Sequence, residues 1–495
     1  MFFVRNETST TLTKSAIVIG AGIGGLASAV RLKAKGFSVK VFDKNEFTGG
    51  KLHTFRKGEY RFDFGPSLFT MPQYVDELFH LVNKNPRDYF SYISCNEACK
   101  YFFSDDTSFT AKTDEEAFIQ EACNTFNIDK TTLEKYFHTN AKIFENAGKV
   151  FLENSLHRLK TWMSPRVIRS LTHSYVLDMM KSMHTVNEKQ LQDPRLIQLF
   201  DRYATYNGSS PFRASAILNS ISSLEHRYGT YFPVGGMYAI PQAVTKLAEE
   251  EGVEFYLGQE VEEILQEGNR AIGVKVNGEI YYSDVVVSNM DVQFTFERLL
   301  DMDKKSVSNR EKSSSAVIFY WGVGKKFDQL GLHNIFFSED YKKEFQQIFG
   351  DKVIPEDPTI YVNISSKHHE GDAPIHGENW FTMINVPADF GQDWDKMIGE
   401  LRNQVISKLS AKLGVDLGNL IEEEYIADPR VIESKTLSHN GALYGSSSNH
   451  WLSAFLRQPN FSRKIKGLYF VGGSVHPGGG IPLCLLSAKI ATEII

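Results

Sequence analysis

The stretch SAIVIGAGIGG (15–25) joins a short apolar run to a glycine-rich turn. The apolar residues 16–19 predict a buried strand, and residues 26–35 predict a helix with its apolar side chains on one side and its end at Gly36. The next run, FSVKVFD (37–43), alternates in the way a second strand does. This strand–turn–helix–strand order is typical of a dinucleotide-binding unit built on a parallel sheet.

Three glycines of this turn fit the spacing G-x-G-x-x-G. Gly20 permits the tight turn, Gly22 lets a pyrophosphate approach the backbone, and Gly25 lets the helix pack closely on the strand. The free N–H groups at the start of the helix favour phosphates. We expect the carboxylate of Asp43 to accept hydrogen bonds from the hydroxyls of the adenosine ribose and to repel a 2′-phosphate. The candidate cofactor contacts here are Gly20, Gly22, Ile23, Gly24, Gly25, Asp43 and Lys44.

The composition narrows the class of protein. A length of 495 residues suggests roughly two to three domains, and 42% hydrophobic with 23% charged residues suits a folded globular chain. Because the net charge is -6, we expect no nucleic-acid partner. The four cysteines are too sparse for a disulfide framework, and no Cys or His cluster has the spacing of a zinc site, so we expect no metal.

The sequence offers no signal for export or for membrane spanning. Its first residues, MFFVRNETSTTLTK (1–14), lack the apolar core and cleavage site of a secretory signal, and no run of about 18 apolar residues occurs. We therefore expect a cytoplasmic location. Residues 149–186 carry six basic and two acidic residues, with Trp162 and several Leu and Met between them. This segment is either a membrane-interface helix or a core-facing helix with a solvated basic face, and for a lipid substrate we expect peripheral membrane association.

The segment that follows Asp43, KNEFTGGKLHTFRKGEYRFDFGPSLF (44–69), contains Gly49-Gly50-Lys51 and Asp63-Phe64-Gly65-Pro66-Ser67. It resembles the corresponding segments of the flavoprotein family of amine oxidases, phytoene desaturases and their relatives. The resemblance implies FAD as the cofactor, with these segments around its pyrophosphate and ribityl chain. Lysine at position 51, where family members commonly have arginine, keeps the charge but loses the bidentate fork. The implied FAD contacts are Gly49, Gly50, Lys51, Leu52, Gly65, Pro66, Ser67 and Leu68.

The resemblance also implies the domain organisation of an α/β protein. A discontinuous Rossmann-like FAD-binding domain would comprise residues 1–84, 225–300 and 431–495. Residues 85–224, in which segments such as DEEAFIQEACNTF predict helices, would form a helical subdomain that contacts the substrate and the membrane. Residues 301–430 would form a mixed or antiparallel substrate-domain sheet. The implied contacts in the second part of the FAD-binding domain are Val261, Ser288 and Asn289.

Four segments between residues 315 and 390 predict strands of a mostly antiparallel sheet: SAVIFYWGVG, HNIFFSED, PTIYVNISS and ENWFTMINVPA. In the family such a sheet lies over the flavin and forms the substrate chamber. The aromatic candidates for its walls are Phe319, Tyr320, Trp321, Tyr361 and Phe381, although for each of them a place in the ordinary core is favoured over the substrate wall.

A second glycine turn lies near the C-terminus, in GLYFVGGSVHPGGGIPLCLLSAK (467–489). It resembles the carotenoid desaturase branch of the family, in which a similar pattern opens the last helix. A helix over about 482–494 would direct its positive end at the flavin edge that becomes negative on reduction. The implied flavin contacts are Gly473, Ser474, Gly480, Ile481 and Pro482.

The resemblance implies an FAD-dependent carotenoid desaturase. Within the branch, the sequence is most similar to bacterial enzymes that desaturate hydroxylated acyclic or monocyclic carotenoids, of the hydroxy-γ-carotene type, at the 3,4 bond. The implied mechanism is hydride transfer to flavin, with oxygen or a quinone as the later electron acceptor. No residue in the sequence identifies a group that reads a hydroxyl, and His476 is a weak candidate for the proton acceptor.

Several alternatives share these motifs. A flavin-dependent carotenoid cis–trans isomerase and a phytoene-type desaturase would have the same FAD segments. An amine oxidase differs at the C-terminal block, and a prenyl-lipid carrier without redox activity would not need the full set of FAD segments. The oligomeric state stays open.

Overall fold

The computed structural model describes residues 13–165, 180–300, 310–450, 452–453 and 457–495. The strands are β1 (Ser15–Ile19), β2 (Ser38–Asp43), β3 (Thr54–Lys57), β4 (Tyr60–Asp63), β5 (Tyr92–Cys95), β6 (Glu97–Phe102), β7 (Ser108–Lys112), β8 (Thr230–Pro233), β9 (Glu254–Leu257), β10 (Val261–Glu267), β11 (Arg270–Val276), β12 (Glu279–Tyr282), β13 (Val285–Ser288), β14 (Ser315–Val323), β15 (His333–Phe336), β16 (Ile360–Asn363), β17 (Glu378–Val386), β18 (Ile421–Ala427) and β19 (Leu468–Phe470). The α-helices are α1 (Ile23–Ala34), α2 (Gln73–His80), α3 (Glu115–Phe126), α4 (Lys130–Ile143), α5 (Lys149–Glu153), α6 (Leu159–Trp162), α7 (Met183–Leu191), α8 (Pro194–Asp201), α9 (Ser220–Tyr228), α10 (Ala239–Glu250), α11 (Val292–Phe294), α12 (Tyr341–Gln346), α13 (Trp394–Leu413), α14 (Pro429–Thr436) and α15 (Ile481–Ile494).

Five strands form a parallel sheet in the order β19-β13-β1-β2-β9. β1 lies in the middle, where its Val18 pairs with Val41 of β2. The strands β1, β13 and β19 are nearly continuous apolar runs because both faces of the sheet are covered there. Ala16 and Val18 pack with α1, α10 and α15, whereas Ile17 and Ile19 pack with the antiparallel sheet β10-β11-β12. Because three distant parts of the chain supply these strands, the predicted discontinuous Rossmann-like fold is confirmed.

Seven strands form a second sheet in the order β18-β14-β17-β16-β15-β6-β7. Its neighbours are antiparallel except for β15 and β6, which run parallel. One face packs on α13, where Trp394 and Leu401 meet Trp321 and Ile384. The four strands predicted between residues 315 and 390 are therefore present, as β14 to β17, in a mostly antiparallel sheet.

The structure differs from the sequence prediction in the segment 85–224, which contains β5, β6 and β7 as well as helices. β6 pairs with β15 and thereby extends the seven-stranded sheet. Its sequence EACKYF does not alternate strictly, because the ladder between β6 and β7 shifts register between Glu97 and Cys99. This irregularity hid the strand from a period-two pattern.

The helices of the same segment pack against one another and against the seven-stranded sheet. Phe118, Tyr136 and Phe200, from α3, α4 and α8, share one apolar cluster with Tyr101 of β6 and Ile335 of β15. This cluster forms the core of the helical layer.

Within the described ranges, each helix is too short or too polar to cross a membrane. Part of the predicted membrane-interface segment, residues 166–179 with Arg166 and Arg169, lies outside the described residues.

Candidate active site

The glycine turn after β1 lines a cavity of about 560 Å³. Gly20 has a φ of +93°, in the left-handed region that favours glycine, and α1 then begins at Ile23. A Cβ on Gly25 would lie 2.0 Å from the carbonyl oxygen of Gly20, so a side chain there would push α1 away from β1. No side chain caps α1, and Gly22 and Gly24 line the cavity, so the first N–H groups of the helix remain available to an anion.

Asp43 lies at the end of β2, beside this turn. Its Oδ2 accepts the Ala21 N–H at 2.6 Å, and its Oδ1 accepts the backbone and side-chain N–H groups of Asn45 at 2.8 and 3.0 Å. Burial raises the pKa of Asp43, and these hydrogen bonds oppose the shift. The carboxylate lines the cavity and keeps acceptor capacity for the hydroxyls of a ribose.

The segment 49–52 lies against the same turn. The Gly49 N–H donates to the Ala21 carbonyl at 2.8 Å, and the Lys51 ammonium donates to the Leu443 carbonyl at 2.9 Å. Burial lowers the pKa of Lys51. An anion in the cavity would offset this penalty, because it would favour the charged ammonium.

The second glycine turn connects β19 to α15. Gly480, at the start of α15, has a φ of +106°, and a Cβ there would meet nothing within 4 Å. A Cβ on Gly479 would lie 2.6 Å from the Tyr444 ring, and one on Gly478 would lie 3.3 Å from the Arg457 guanidinium. From the sequence, Gly478, Gly479 and Gly480 would each remove a side chain where a flat ring approaches the backbone. In the structure only Gly480 has that open space, and the other two make room for protein side chains.

Asn289 connects the first turn to the last. Its backbone N–H donates to the Ile19 carbonyl at 2.7 Å, and its side-chain amide donates to the Val471 carbonyl at 3.2 Å. The neighbouring Ser288 is fully buried, and its hydroxyl bonds that of Thr295 at 2.8 Å, away from the cavity. The three distant parts of the chain therefore meet at one site.

The cavity brings together most of the residues that the sequence singled out. Gly25 and Ser288 do not line it, because Gly25 serves the contact between α1 and β1 and Ser288 belongs to the core. Of the site residues predicted from the sequence, those that line the cavity are Gly20, Gly22, Ile23, Gly24, Asp43, Lys44, Gly49, Gly50, Lys51, Leu52, Gly65, Pro66, Ser67, Leu68, Val261, Asn289, Gly473, Ser474, His476, Gly480, Ile481 and Pro482.

His476 lies in the second glycine turn and is buried. Its Nε2 lies 2.9 Å from the Asn154 carbonyl oxygen, so Nε2 carries the proton and Nδ1 keeps a lone pair. Nδ1 has no hydrogen-bond partner among the described residues. Burial lowers the pKa of His476 to about 4, so the imidazole is neutral near pH 7.

Beyond the glycine turns, the cavity continues between the seven-stranded sheet and the helices. Of the five predicted wall aromatics, Tyr361 and Phe381 line it. Phe319 and Trp321 instead belong to the core beneath α13, and Tyr320 donates its hydroxyl to a buried backbone carbonyl. Alternate residues of β14 face opposite sides of the sheet, and neither side of this strand presents its aromatic rings to the cavity.

Sequence reasoning missed part of this chamber. Its wall includes three apolar residues at helical spacing, Ile217, Ile221 and Leu224. This spacing is visible in the sequence and could have predicted the wall. The polar side chains that line the chamber include Arg202 and His333, which belong to none of the motifs found in the sequence.

Two of the cavity residues are thiols. Burial raises the pKa of Cys99 to about 12 and that of Cys484 to about 11, so neither is a thiolate near pH 7. In the part of the chain that the structure describes, no cluster of His, Cys, Asp or Glu could hold a metal ion.

Known proteins share both the sequence pattern and the fold. The sequence model of the flavin-containing amine oxidoreductase family matches residues 23–294. A 1-hydroxycarotenoid 3,4-desaturase from Flavobacterium sp. (strain P99-3) is 47% identical over 97% of this chain and 99% of its own length. The chain belongs to the flavin-containing amine oxidoreductase family. It is a flavin-dependent oxidoreductase, as the resemblance of its motifs predicted.

Two further comparisons cover nearly the whole chain. A 4,4'-diapolycopene oxygenase from Methylomonas sp is 32% identical over 97% of both chains. The crystal structure of an oxidoreductase from Methanosarcina mazei superposes with a TM-score of 0.65 over 97% of this chain and all of its own, at 17% identity. The structural likeness to the Methanosarcina mazei protein shows a common fold.

Proposed function

We propose that the protein is an FAD-dependent carotenoid desaturase that introduces a C=C bond, at the 3,4 position of a hydroxylated acyclic or γ-carotene-type carotenoid. The observation that carries the proposal is one continuous cavity, in which the glycine turns and Asp43 adjoin a chamber with largely apolar walls. A polar cofactor and a long hydrocarbon could therefore lie side by side. The activity of the Flavobacterium relative supports the choice of substrate and bond.

The residues at the polar end fit FAD. The open N-terminus of α1 would receive the pyrophosphate, and Asp43 would accept the ribose hydroxyls. Lys51 would balance phosphate charge, and Gly480 would leave room for the flavin ring at the start of α15. Val261, Ser67 and the remaining cavity residues of both glycine turns would complete the contacts.

The bound flavin would supply the acceptor for the hydride that leaves a substrate carbon. The chain would hold the substrate against it and keep water away, through apolar side chains such as Phe381, Ile221 and Leu224. The second hydrogen would leave the adjacent carbon as a proton, and its bonding electrons would form the double bond. The unprotonated Nδ1 of His476 is the candidate acceptor for this proton. The two electrons would later pass to oxygen or a quinone.

Expression in bacteria that make γ-carotene or its hydroxylated form tests this function. We expect the pigment absorption to shift to longer wavelength and the product mass to fall by two hydrogens. An unchanged mass with a new isomer pattern would identify a cis–trans isomerase. A mass gain of one oxygen would identify an oxygenase, and a purified protein without flavin absorbance would contradict each of these redox proposals.

We further propose that the protein binds membranes peripherally, beside the access to the chamber. Leu159, Met163 and Met180 are 76%, 69% and 66% exposed, and Trp162 is 38% exposed. The Trp162 indole donates to the carbonyl of Leu156, a residue that lines the cavity, at 2.8 Å. Exposed basic residues accompany these side chains: Arg158, Lys160 and Lys181. An apolar surface with basic residues, next to the cavity wall, suits a lipid-dissolved substrate.

The double variant Leu159→Glu with Met163→Glu is expected to lower partition onto anionic vesicles at least tenfold, by roughly 1.4 kcal/mol or more, because two exposed apolar contacts are replaced by negative charges. Flotation of vesicles with bound protein measures the effect. Ile375→Glu is the matched control, because Ile375 is also exposed but lies in the loop before β17. Equal flotation of all three proteins would contradict this docking surface.

A further inference from the structure

The side chains of His333 and Arg202 are buried in the wall of the largely apolar chamber. His333, at the start of β15, is 4% exposed, and Arg202, directly after α8, is 5% exposed. Both line the cavity, and neither belongs to a glycine turn. A buried polar group costs free energy unless it finds a partner, so each should be explained by what it binds.

The hydrogen bonds of His333 determine where its proton lies. The Asn363 side-chain nitrogen donates to the Leu332 carbonyl at 3.1 Å and lies 3.2 Å from His333 Nδ1, so this nitrogen is a donor and Nδ1 accepts. The Tyr361 hydroxyl also lies 2.7 Å from Nδ1. Burial lowers the pKa of His333 to about 3, and the imidazole is neutral. The single proton therefore sits on Nε2, which has no hydrogen-bond partner among the described residues.

Arg202 presents a second unused donor. Its Nη2 donates to the hydroxyls of Tyr101 and Tyr206 at 2.6 and 3.2 Å, and Glu225 is reached through the Tyr206 hydroxyl at 3.2 Å. The guanidinium carbon lies 5.0 Å from the centres of the Tyr203 and Tyr206 rings, which stabilises the cation. Its Nε, however, has no partner in the described part of the chain.

The two donors belong to one neighbourhood. Arg202 donates to the hydroxyl of Tyr101 on β6, and Tyr101 pairs with Ile335, two residues after His333 on β15. The positive charge of Arg202 also contributes to the lowered pKa of His333. Neither N–H donor has an acceptor among the described residues, so the pair could bind an oxygen atom that accepts hydrogen bonds.

We propose that His333 Nε2 and Arg202 Nε bind the oxygen atom of an oxygenated carotenoid end group and thereby select oxygenated substrates. This inference rests on the proposed desaturase function and adds to it the two N–H groups that bind the substrate oxygen. A tertiary hydroxyl and a ketone both offer such an oxygen. The neutral hydrocarbon end of an unmodified carotenoid would leave both donors unpaired.

The position of His333 is consistent with a reaction at a substrate bond that lies close to the substrate oxygen. The Tyr361 hydroxyl connects His333 to Ser67, at 2.7 Å on each side, and Ser67 belongs to the segment proposed to contact FAD. In the substrate named for the Flavobacterium relative, a hydroxyl on carbon 1 is separated from the 3,4 bond by one methylene carbon. Donors that hold this hydroxyl must therefore lie near the flavin, and His333 is two hydrogen bonds from Ser67, a proposed FAD contact.

The test compares two substrates in one assay, a 1-hydroxylated carotenoid and the same carotenoid without the hydroxyl. For His333→Phe we expect kcat/KM for the hydroxylated substrate to fall about tenfold relative to kcat/KM for the other, because one hydrogen bond to the oxygen is lost. Arg202→Gln should change the same ratio in the same direction. His333→Gln, whose amide can still donate, should recover part of the preference, and a ketone-bearing analogue shows whether a carbonyl oxygen is also read.

His226→Phe is the matched control, since His226 is another neutral imidazole, partly buried between Phe118 and Phe137, and does not line the cavity. It should leave the ratio unchanged. Equal losses on both substrates in His333→Phe and Arg202→Gln, with normal flavin content, would overturn the proposal. If the wild-type protein desaturates neither substrate, the proposed function itself fails. If the wild type is active and the variants keep its substrate preference, only the proposed role of His333 and Arg202 fails.

Discussion

Gly25→Ala is expected to prevent the accumulation of folded flavoprotein. The new Cβ would lie 2.0 Å from the Gly20 carbonyl oxygen and 3.2 Å from the Asn289 side-chain oxygen. The Gly20 carbonyl oxygen is a backbone atom and cannot rotate away from the new Cβ. The helix α1 must therefore move away from β1, at a cost of about 3 kcal/mol or more. Moving α1 also moves the N–H groups that would receive the pyrophosphate. Soluble yield, circular dichroism and flavin absorbance of the purified variant measure the effect.

Gly399→Ala provides the control for this substitution. Gly399 lies on the exposed side of α13, and a Cβ there would meet nothing within 4 Å. The added methyl group should stabilise the helix by up to about 1 kcal/mol and leave flavin binding unchanged. Gly25→Ala protein that is as soluble and as yellow as Gly399→Ala protein would show that α1 tolerates the displacement.

Asp43→Ala is expected to weaken flavin binding about 100-fold while the protein remains folded. The substitution removes a charged acceptor for the ribose hydroxyls, a contribution of about 1.5–3 kcal/mol. It also leaves the Ala21 N–H, within the glycine turn, without the carboxylate that now accepts it at 2.6 Å. Titration of the apoprotein with FAD, followed by fluorescence quenching, measures the dissociation constant. Asp43→Asn should lie between the wild type and Asp43→Ala, because it keeps an acceptor but loses the charge.

Asp284→Ala is the matched control for Asp43→Ala. Asp284 also accepts a backbone N–H at an end of β1, that of Ser15 at 2.8 Å, but it does not line the cavity. We expect a small loss of stability and an unchanged affinity for FAD. If Asp43→Ala binds FAD as tightly as Asp284→Ala does, the ribose is held by other groups and the proposed role of Asp43 is wrong.

Much of the nucleotide-binding fold could be predicted because its signals are local. The run 16–19, the glycine spacing and the acid at position 43 lie within one strand–helix–strand unit, and each has a direct physical role. The order of the strands in the sheet is less local, since β13 and β19 come from distant segments. The resemblance implied that their segments belong to the FAD-binding domain, and the register of the strands places β13 beside β1 and β19 beside β13.

The walls of the chamber were less predictable, because a strand pattern does not tell which face meets a cavity. Phe319, Trp321, Tyr361 and Phe381 are all aromatic residues of strands, yet only the last two line the chamber. β6 was missed for a related reason, since its shifted register removed the period that would have marked it. In both cases the deciding information is what packs on each face of the sheet.

The sequence by itself therefore determined the strand–turn–helix–strand unit that is proposed to bind the nucleotide and the family to which the chain belongs, because both rest on short patterns of glycine, apolar and acidic residues. Only the tertiary structure decided the surroundings of His333 and Arg202. They come from a strand and a helical segment far apart in the chain, and their significance lies in donors that lack partners. Whether a donor is satisfied depends on the neighbours that folding brings to it, and a linear pattern of residues does not contain that information.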